Sequence, residues 1–485
     1  RPCRPYHGAQ ETPELPVLEL ANGYGGFTSD GQEYAVIIRG RTRTPAPWVN
    51  VVSSPHFGFQ VSAEGSGYTW SENSKENQLT PWSNDPVVNP TGEAFYLCDE
   101  ESRQFWSPVA AVCPDDNAVY VCRHGRGYSR FERNANEIVS TLLHYVPPED
   151  PIRISRLKLT NTSSRPRTLR VTTYTEWVLG QSRSTTSPFV FTEQDPESSA
   201  LFVRNKWGET FGERVAFADL AGQQTSSTDD RRTFIGPNGT LSAPRAIVRG
   251  GPLEGIIGAG VDPCAALQTV VTLEAGESAE ILFLLGQGRN AEHARQLVRQ
   301  YRAADLDAVL EAVHRSWETI TKTVQVQTPD RAMDIMLNGW LLYQSLSSRI
   351  WARAGFYQAS GAYGFRDQLQ DGMSLVLAAP QLVREHLLRA ASRQFPEGDV
   401  QHWWLPQKGN GVRTRISDDC AWLAYTVAQY VRVSGDAAVL DEEIPFLSAP
   451  VLADGEHERF LQPEVTDDTA SLYTHCILAL DHSLQ

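Results

Sequence analysis

The feature that most constrains the fold of this chain is a change of hydrophobic period at Asn290. From Val17 to Gly288 the apolar residues alternate or fall in short runs. These are Glu33–Ile38, Ala118–Val121, Ile152–Leu159, Thr168–Tyr174, Gln268–Leu273 and Ala279–Leu285. Turn-forming clusters such as Asn22–Gly26, Asn161–Ser164 and Gly236–Gly239 separate them. A period of two with regular punctuation predicts many short strands, hence a large antiparallel β-sandwich. After Asn290 the period becomes helical. Ala291–Arg302 and Leu306–Ile320 read as a helical linker. Helices are predicted at Asp330–Ser348 (with Asp330 as N-cap), Gln368–Ala378, Gln381–Ser392, Asp418–Ser434, Asp436–Ile444 and Thr466–His482. Helix pairs joined by long loops close naturally into an (α/α)6 barrel. The fold class is therefore multidomain β + α: an N-terminal antiparallel β-sandwich (1–288), a helical linker (289–328) and the first half of an (α/α)6 barrel (329–485).

Composition narrows the function. A net charge of −15 with no basic run excludes a nucleic-acid surface. Twelve tryptophans suit neutral polyhydroxy ligands. No apolar run reaches the ~20 residues of a membrane helix. The seven cysteines show neither CxxC nor Cys/His metal spacing, and read as reduced, mostly buried thiols of a cytosolic compartment. The chain contains no GxSxG elbow, Walker loop, HExxH or dinucleotide-binding GxGxxG.

The chemistry-bearing stretch is Trp340–Asp371 (WLLYQSLSSRIWARAGFYQASGAYGFRDQLQD). Gly355, Ser360, Gly361 and Gly364 allow tight turns and close approach to a ligand. Tyr357, Tyr363 and Phe365 offer flat faces for sugar rings. Arg366 and Asp367 offer an anion clamp beside a hydroxyl acceptor. The plainer alternative is an interhelix turn in which Arg366 and Asp367 pair with each other. A second long loop, Pro396–Ser417, carries His402, Trp403, Trp404, Lys408, Arg413 and Arg415. Adjacent tryptophans point different ways, so one is expected in the core. Ser417 is the expected N-cap of the next helix, and Asp418 and Asp419 complement either its dipole or a ligand. Ser66–Pro90 is a polar loop with Trp70, Trp82, Asn84 and Asp85 that either reaches a ligand or packs on its own tryptophans.

Eight segments carry a resemblance to glycoside hydrolase family 94, the inverting sugar phosphorylases: Ala21–Tyr34, Thr44–Val52, Phe57–Val87, Thr175–Gly180, Gly258–Gln268, Phe283–Gly288, Trp340–Asp371 and His402–Asp419. The match is strongest to the phosphorylase-like domain of cyclic β-1,2-glucan synthases, and free β-1,2-oligoglucan phosphorylases are similar. The resemblance implies the sandwich, linker and barrel already read from the residues. It implies phosphorolysis of β-1,2-glucan with inversion, releasing α-glucose 1-phosphate. By motif, Arg366 of GFRD faces phosphate and Asp367 holds sugar hydroxyls, while Asp371 braces the loop. His402 joins Arg366 as a candidate phosphate-binding residue. Tyr357, Gln358, Asp367, Trp403 and Asp419 are the candidate substrate-binding residues. An arginine that some disaccharide phosphorylases carry before GFRD is replaced by Ser360–Tyr363.

The family's general acid belongs to a GDWNDGM-like motif that follows the helix matching Ser471–Leu484, and no DWND occurs here. No catalytic residue is assigned, and the chain is expected to be an inactive, association-prone fragment. Implied partners are a β-glucan oligosaccharide and inorganic phosphate as co-substrate, with no metal or organic cofactor. A homodimer and a place in a larger synthase on the cytoplasmic side of a membrane are also implied. The alternative function is a non-catalytic carbohydrate-binding or chain-length-controlling module. Arg366 argues against a hydrolase, which would need a second carboxylate in its place.

Overall fold

Strand Tyr128–Ala135 (YSRFERNA) shows how the first part of the chain builds itself: its residues alternate strictly between half-buried and buried. Such a strand covers a core with one face only. Glu93–Asp99 is buried on both faces and lies in a sheet interior. The computed structural model describes residues 2–8 and 11–484. The chain divides into two units, Arg1–Ser316 with Ala354–Ala359, and Trp317–Arg353 with Ser360–Gln485.

In the first unit, among the described residues, eleven strands form one sheet and six another. The larger is antiparallel throughout and has Ile152–Asn161 and Ser278–Gly288 at its centre. The smaller runs Arg4–Pro5, Gln104–Trp106, Glu93–Asp99, Arg167–Glu176, Pro263–Leu273, Ser226–Asp230. Its first pair is parallel, a departure from the wholly antiparallel expectation. A three-stranded sheet (Val49–Ser53, Phe57–Ser62, Gly67–Ser71) adds to them, so part of the expected Ser66–Pro90 loop is strand. Phe57, Phe59, Tyr96, Trp106 and Trp177 fill the core.

One buried polar node joins all three sheets. Glu93 accepts from the Thr69 and Thr80 hydroxyls at 2.7 Å each and pairs with Arg153, whose guanidinium also donates to Thr69 at 3.0 Å. Removing one partner would strand a buried charge, at a cost of about 3–5 kcal/mol. All seven cysteines are free and buried. Ala291–Ala303, capped by Asn290 accepting from the His293 amide, and Leu306–Thr321 supply the two helices of the expected linker.

The second unit is helical with strand insertions. Asp330 caps the helical stretch that ends at Ala352, accepting from the Ala332 and Met333 amides. Phe365–Met373, Pro380–Ala391, Asp419–Ser434 and Leu472–Ser483 follow. Three expectations are corrected. The loop Pro396–Ser417 is a hairpin, Gln401–Trp404 against Gly411–Thr414, joined by Glu458–Leu461. The helix expected at Asp436–Ile444 is a short 3-10 turn, Ala437–Asp441, running into strand Glu443–Ser448. The helix expected from Thr466 begins only at Leu472, because Glu464–Ser471 pairs with that strand. Pro445 removes a helical donor, and Val465, Thr466 and Thr469 favour extended backbone. Among the described residues no helix is long and apolar enough to cross a membrane.

Asp229 lies at a register shift between Ser226–Asp230 and Pro263–Leu273. It is fully buried, and among the described residues neither carboxyl oxygen has a well-formed hydrogen-bond partner. Burial pushes its pKa from 3.8 up to about 7, with Thr192 acting weakly in the other direction. The folded chain therefore holds this proton more tightly than the unfolded chain. The resulting stability is fully present below the unfolded pKa and is lost as pH rises toward the folded one. The loss is about 2 kcal/mol between roughly pH 5.5 and 7.5. Asp229→Asn should flatten that dependence and be the more stable form at about pH 8. Urea unfolding at the two pH values checks it, and an unchanged slope in the variant would place the titration elsewhere.

Candidate functional site

The site in the second unit hangs from a two-residue ladder. Tyr363 pairs with Trp404 and Gly364 with Trp403, so the end of the glycine-rich loop is tied to the hairpin. Gly364 then begins helix Phe365–Met373. A Cβ there would come within 2.9 Å of Asp367 Oδ2, the movable end of an exposed side chain, so a larger residue would displace this carboxylate from the helix start. Trp404 is fully buried and stacks on Tyr363 at 5.5 Å and 25°. Phe365 is fully buried and Tyr363 nearly so. This corrects the expectation that those two rings present faces to sugar: they are the core beneath the loop. Trp403, the other of the adjacent tryptophans, remains half-buried, its ring 5.8 Å from that of exposed Phe460.

The ladder brings the charged residues together. Arg366, partly exposed, donates from its NH1 group to Asp418 Oδ2 at 2.8 Å. Its contact with neighbouring Asp367 is longer, 3.9 Å, so the two are not the closed ion pair of the plainer alternative. Asp418 holds the Arg366 guanidinium above its ordinary range, and Arg366 holds the Asp418 carboxyl below its own. Asp418 also takes the N-cap position expected for Ser417, yet makes no side-chain cap hydrogen bond. Asp419, the next residue, is buried and meets His402 Nδ1 through Oδ2 at 2.7 Å, while its Oδ1 has no partner. That hydrogen bond, against the opposing effect of burial, raises the His402 pKa. Sequence reasoning missed that two adjacent carboxylates serve different cations. Only their doubling at a helix start signalled it.

Other flagged residues fall elsewhere. Tyr357 and Gln358 are exposed and lie in Ala354–Ala359, which packs with the first unit, as does Trp82, whose indole donates to the Gly355 carbonyl at 3.3 Å. Asp371 accepts from Arg349 at 2.8 Å. Arg413 is buried against Asp399 and Glu397, and Arg415 donates to the carbonyls of Leu452, Ala453 and Glu456.

An arginine with donors to spare beside a carboxylate, an imidazole and a half-buried indole can hold an oxyanion next to a polyhydroxylated ring. The family model described as the glycosyl hydrolase 94 supersandwich domain matches residues 32–304, and that of the glycosyl hydrolase 94 superfamily catalytic domain matches residues 316–485. The chain belongs to glycoside hydrolase family 94. Similar family 94 proteins include the cyclic beta-(1,2)-glucan synthase NdvB of Rhizobium meliloti (strain 1021), 46% identical over 96% of this chain and 16% of that protein. The solabiose phosphorylase of Paenibacillus borealis is 30% identical over 88% of this chain and 54% of that one. The N,N'-diacetylchitobiose phosphorylase of Vibrio furnissii is 26% identical over 95% and 59%. The chain thus spans a small part of the synthase and between half and three fifths of the two phosphorylases. A bacterial glucoamylase complexed with acarbose shares the fold, with a TM-score of 0.52 at 8% identity, covering 82% of this chain and 59% of the glucoamylase.

If Asp419 sustains the charge of His402, Asp419→Asn should move the imidazole titration down toward that of an unperturbed histidine. Ring-proton shifts followed across pH check it. In the parent chain the pair's contribution to stability is fully present below the unfolded pKa and is lost as pH rises through the raised folded pKa. An unmoved titration would show that Asp419 does not set the charge of His402.

Proposed function

We propose that this chain supplies the sandwich and part of the barrel of an inverting phosphorylase acting on β-1,2-glucan and releasing α-glucose 1-phosphate. The observation that carries the reading is Arg366 of the GFRD motif, oriented by Asp418 and left partly open beside Asp367. The Arg366 guanidinium would bind the attacking phosphate. Asp367 would accept hydrogen bonds from hydroxyls of the sugar being transferred. His402, whose charged form Asp419 favours, would add a second positive group, and Trp403 a face for a ring. These roles position and neutralise phosphate, and a carboxylic acid must protonate the leaving oxygen. Inorganic phosphate is the co-substrate, and no metal or organic cofactor enters the scheme.

A second reading is a carbohydrate-binding or chain-length-controlling module of a cyclic glucan synthase. It draws support from the higher identity to NdvB than to the phosphorylases. Both readings are tested on the full-length protein that contains this chain, with β-1,2-glucooligosaccharide and phosphate. Phosphate-dependent release of α-glucose 1-phosphate, reduced about 10²–10³-fold in Arg366→Ala, is the expected result. Oligosaccharide binding without release would sink the phosphorylase reading and leave the binding module.

A further inference from the structure

Six arginines of the described chain lie over aromatic rings, and they divide into two groups. Arg133 over Tyr120, Arg153 over Phe59 and Arg413 over Phe395 each have a carboxylate partner: Asp115, Glu93, and Asp399 with Glu397. The other three stand together in the second unit. Arg353 and Arg389 lie over the Tyr363 ring at 4.4 and 5.0 Å, and Arg393 lies over Trp404 at 5.7 Å. Among the described residues none of these three is paired with a carboxylate, and burial followed by Arg389 holds the Arg393 guanidinium below its ordinary range. In a chain of net charge −15, three neighbouring cations without an acid are unexpected.

The acceptors around them are neutral. Arg353 is buried, and its charge is dispersed over the carbonyls of Ile350, Trp351 and Gly361 and the Tyr363 hydroxyl. Arg389 donates to His386 Nδ1 at 3.2 Å. Arginine can only donate, so Nδ1 accepts and the neutral ring carries its proton on Nε2. That Nε2 and Arg393 Nε are both buried and have no partner among the described residues. Burial first, then Arg389 and Arg353, push the His386 pKa down to about 3, so the ring stays neutral and adds no charge of its own. Arg389 and Arg393 are half-buried. The tip of Arg393 rests against Gly409 of the hairpin turn, where a Cβ would come within 2.9 Å of NH1.

Partly desolvated guanidiniums with no counter-charge are costly, and ring-backed guanidinium forks match tetrahedral oxyanions. We propose that Arg389 and Arg393, backed by Arg353, Tyr363 and Trp404, bind a phosphate-class oxyanion, either inorganic phosphate or the phosphate of a sugar phosphate. The bound oxyanion would brace the Tyr363–Gly364 strand, and with it the start of the helix that carries Arg366.

The test is calorimetric titration of the full chain with inorganic phosphate and, separately, with α-glucose 1-phosphate, at ionic strength held constant with chloride. It uses Arg366→Gln, so that this proposal and the role given to Arg366 can fail separately. Residual phosphate binding in Arg366→Gln, weakened tenfold or more by adding Arg393→Gln or Arg389→Gln, is expected. Tighter binding of the sugar phosphate would name that source, and equal binding would name phosphate alone. Either the absence of binding in Arg366→Gln, or binding unchanged by the two further substitutions in variants that keep the parent circular dichroism, would overturn the site. Phosphate binding unaffected by Arg366→Gln but abolished by Arg393→Gln would keep it and sink the role of Arg366.

Discussion

The stack of Tyr363 on Trp404, with the two-residue ladder beside it, is the contact on which the candidate site depends. It joins segments about forty residues apart at the point where the glycine-rich loop becomes a helix. The charged residues of the site lie on the segments that it joins. Arg366 and Asp367 follow Gly364, His402 precedes Trp403, and the hairpin delivers Asp418 and Asp419. Burying two large rings fixes the backbone more firmly than the exposed charges could, because exposed ion pairs contribute little.

The electrostatics of the two units follow different rules. In the sandwich, buried arginines meet carboxylates in nearly closed pairs, and the Glu93–Arg153–Thr69 node sets where three sheets meet. In the helical unit the pairs near the site are open. Arg366 has only part of its fork occupied, and the charged form of His402 is favoured by a buried aspartate, one of whose oxygens has no partner among the described residues. A group proposed to hold a ligand must keep unused donors, since a site already satisfied has nothing to offer one.

Much of this was legible in sequence. The change of period at Asn290 marked the switch from strand to helix, because side-chain direction repeats every 2 residues in one and every 3.6 in the other. Asp330 was readable as a cap, whereas Asn290, read only as the switch point, caps its helix in the structure. Periodicity failed where segments were short. Glu443–Ser448 and Glu464–Ser471 pair with each other across a stretch that looked helical, and the Gln401–Thr414 hairpin looked like loop. A strand of four to eight residues is stabilised by its partner rather than by its own pattern, and the partner is distant in sequence.

Sequence by itself determined the fold class, the family motifs and the residue types at the site, because each depends on local pattern. Tertiary structure alone decided which neighbour each residue serves. Tyr363 and Phe365 turned inward while Trp403 stayed half-open. Asp418 and Asp419, adjacent in the chain, reached Arg366 and His402 on different elements. Arg353, Arg389 and Arg393 gathered on one pair of rings without a carboxylate partner among the described residues. The reason is physical: pairing, burial and charge compensation are properties of positions in space, and a chain brings those positions together only when it packs.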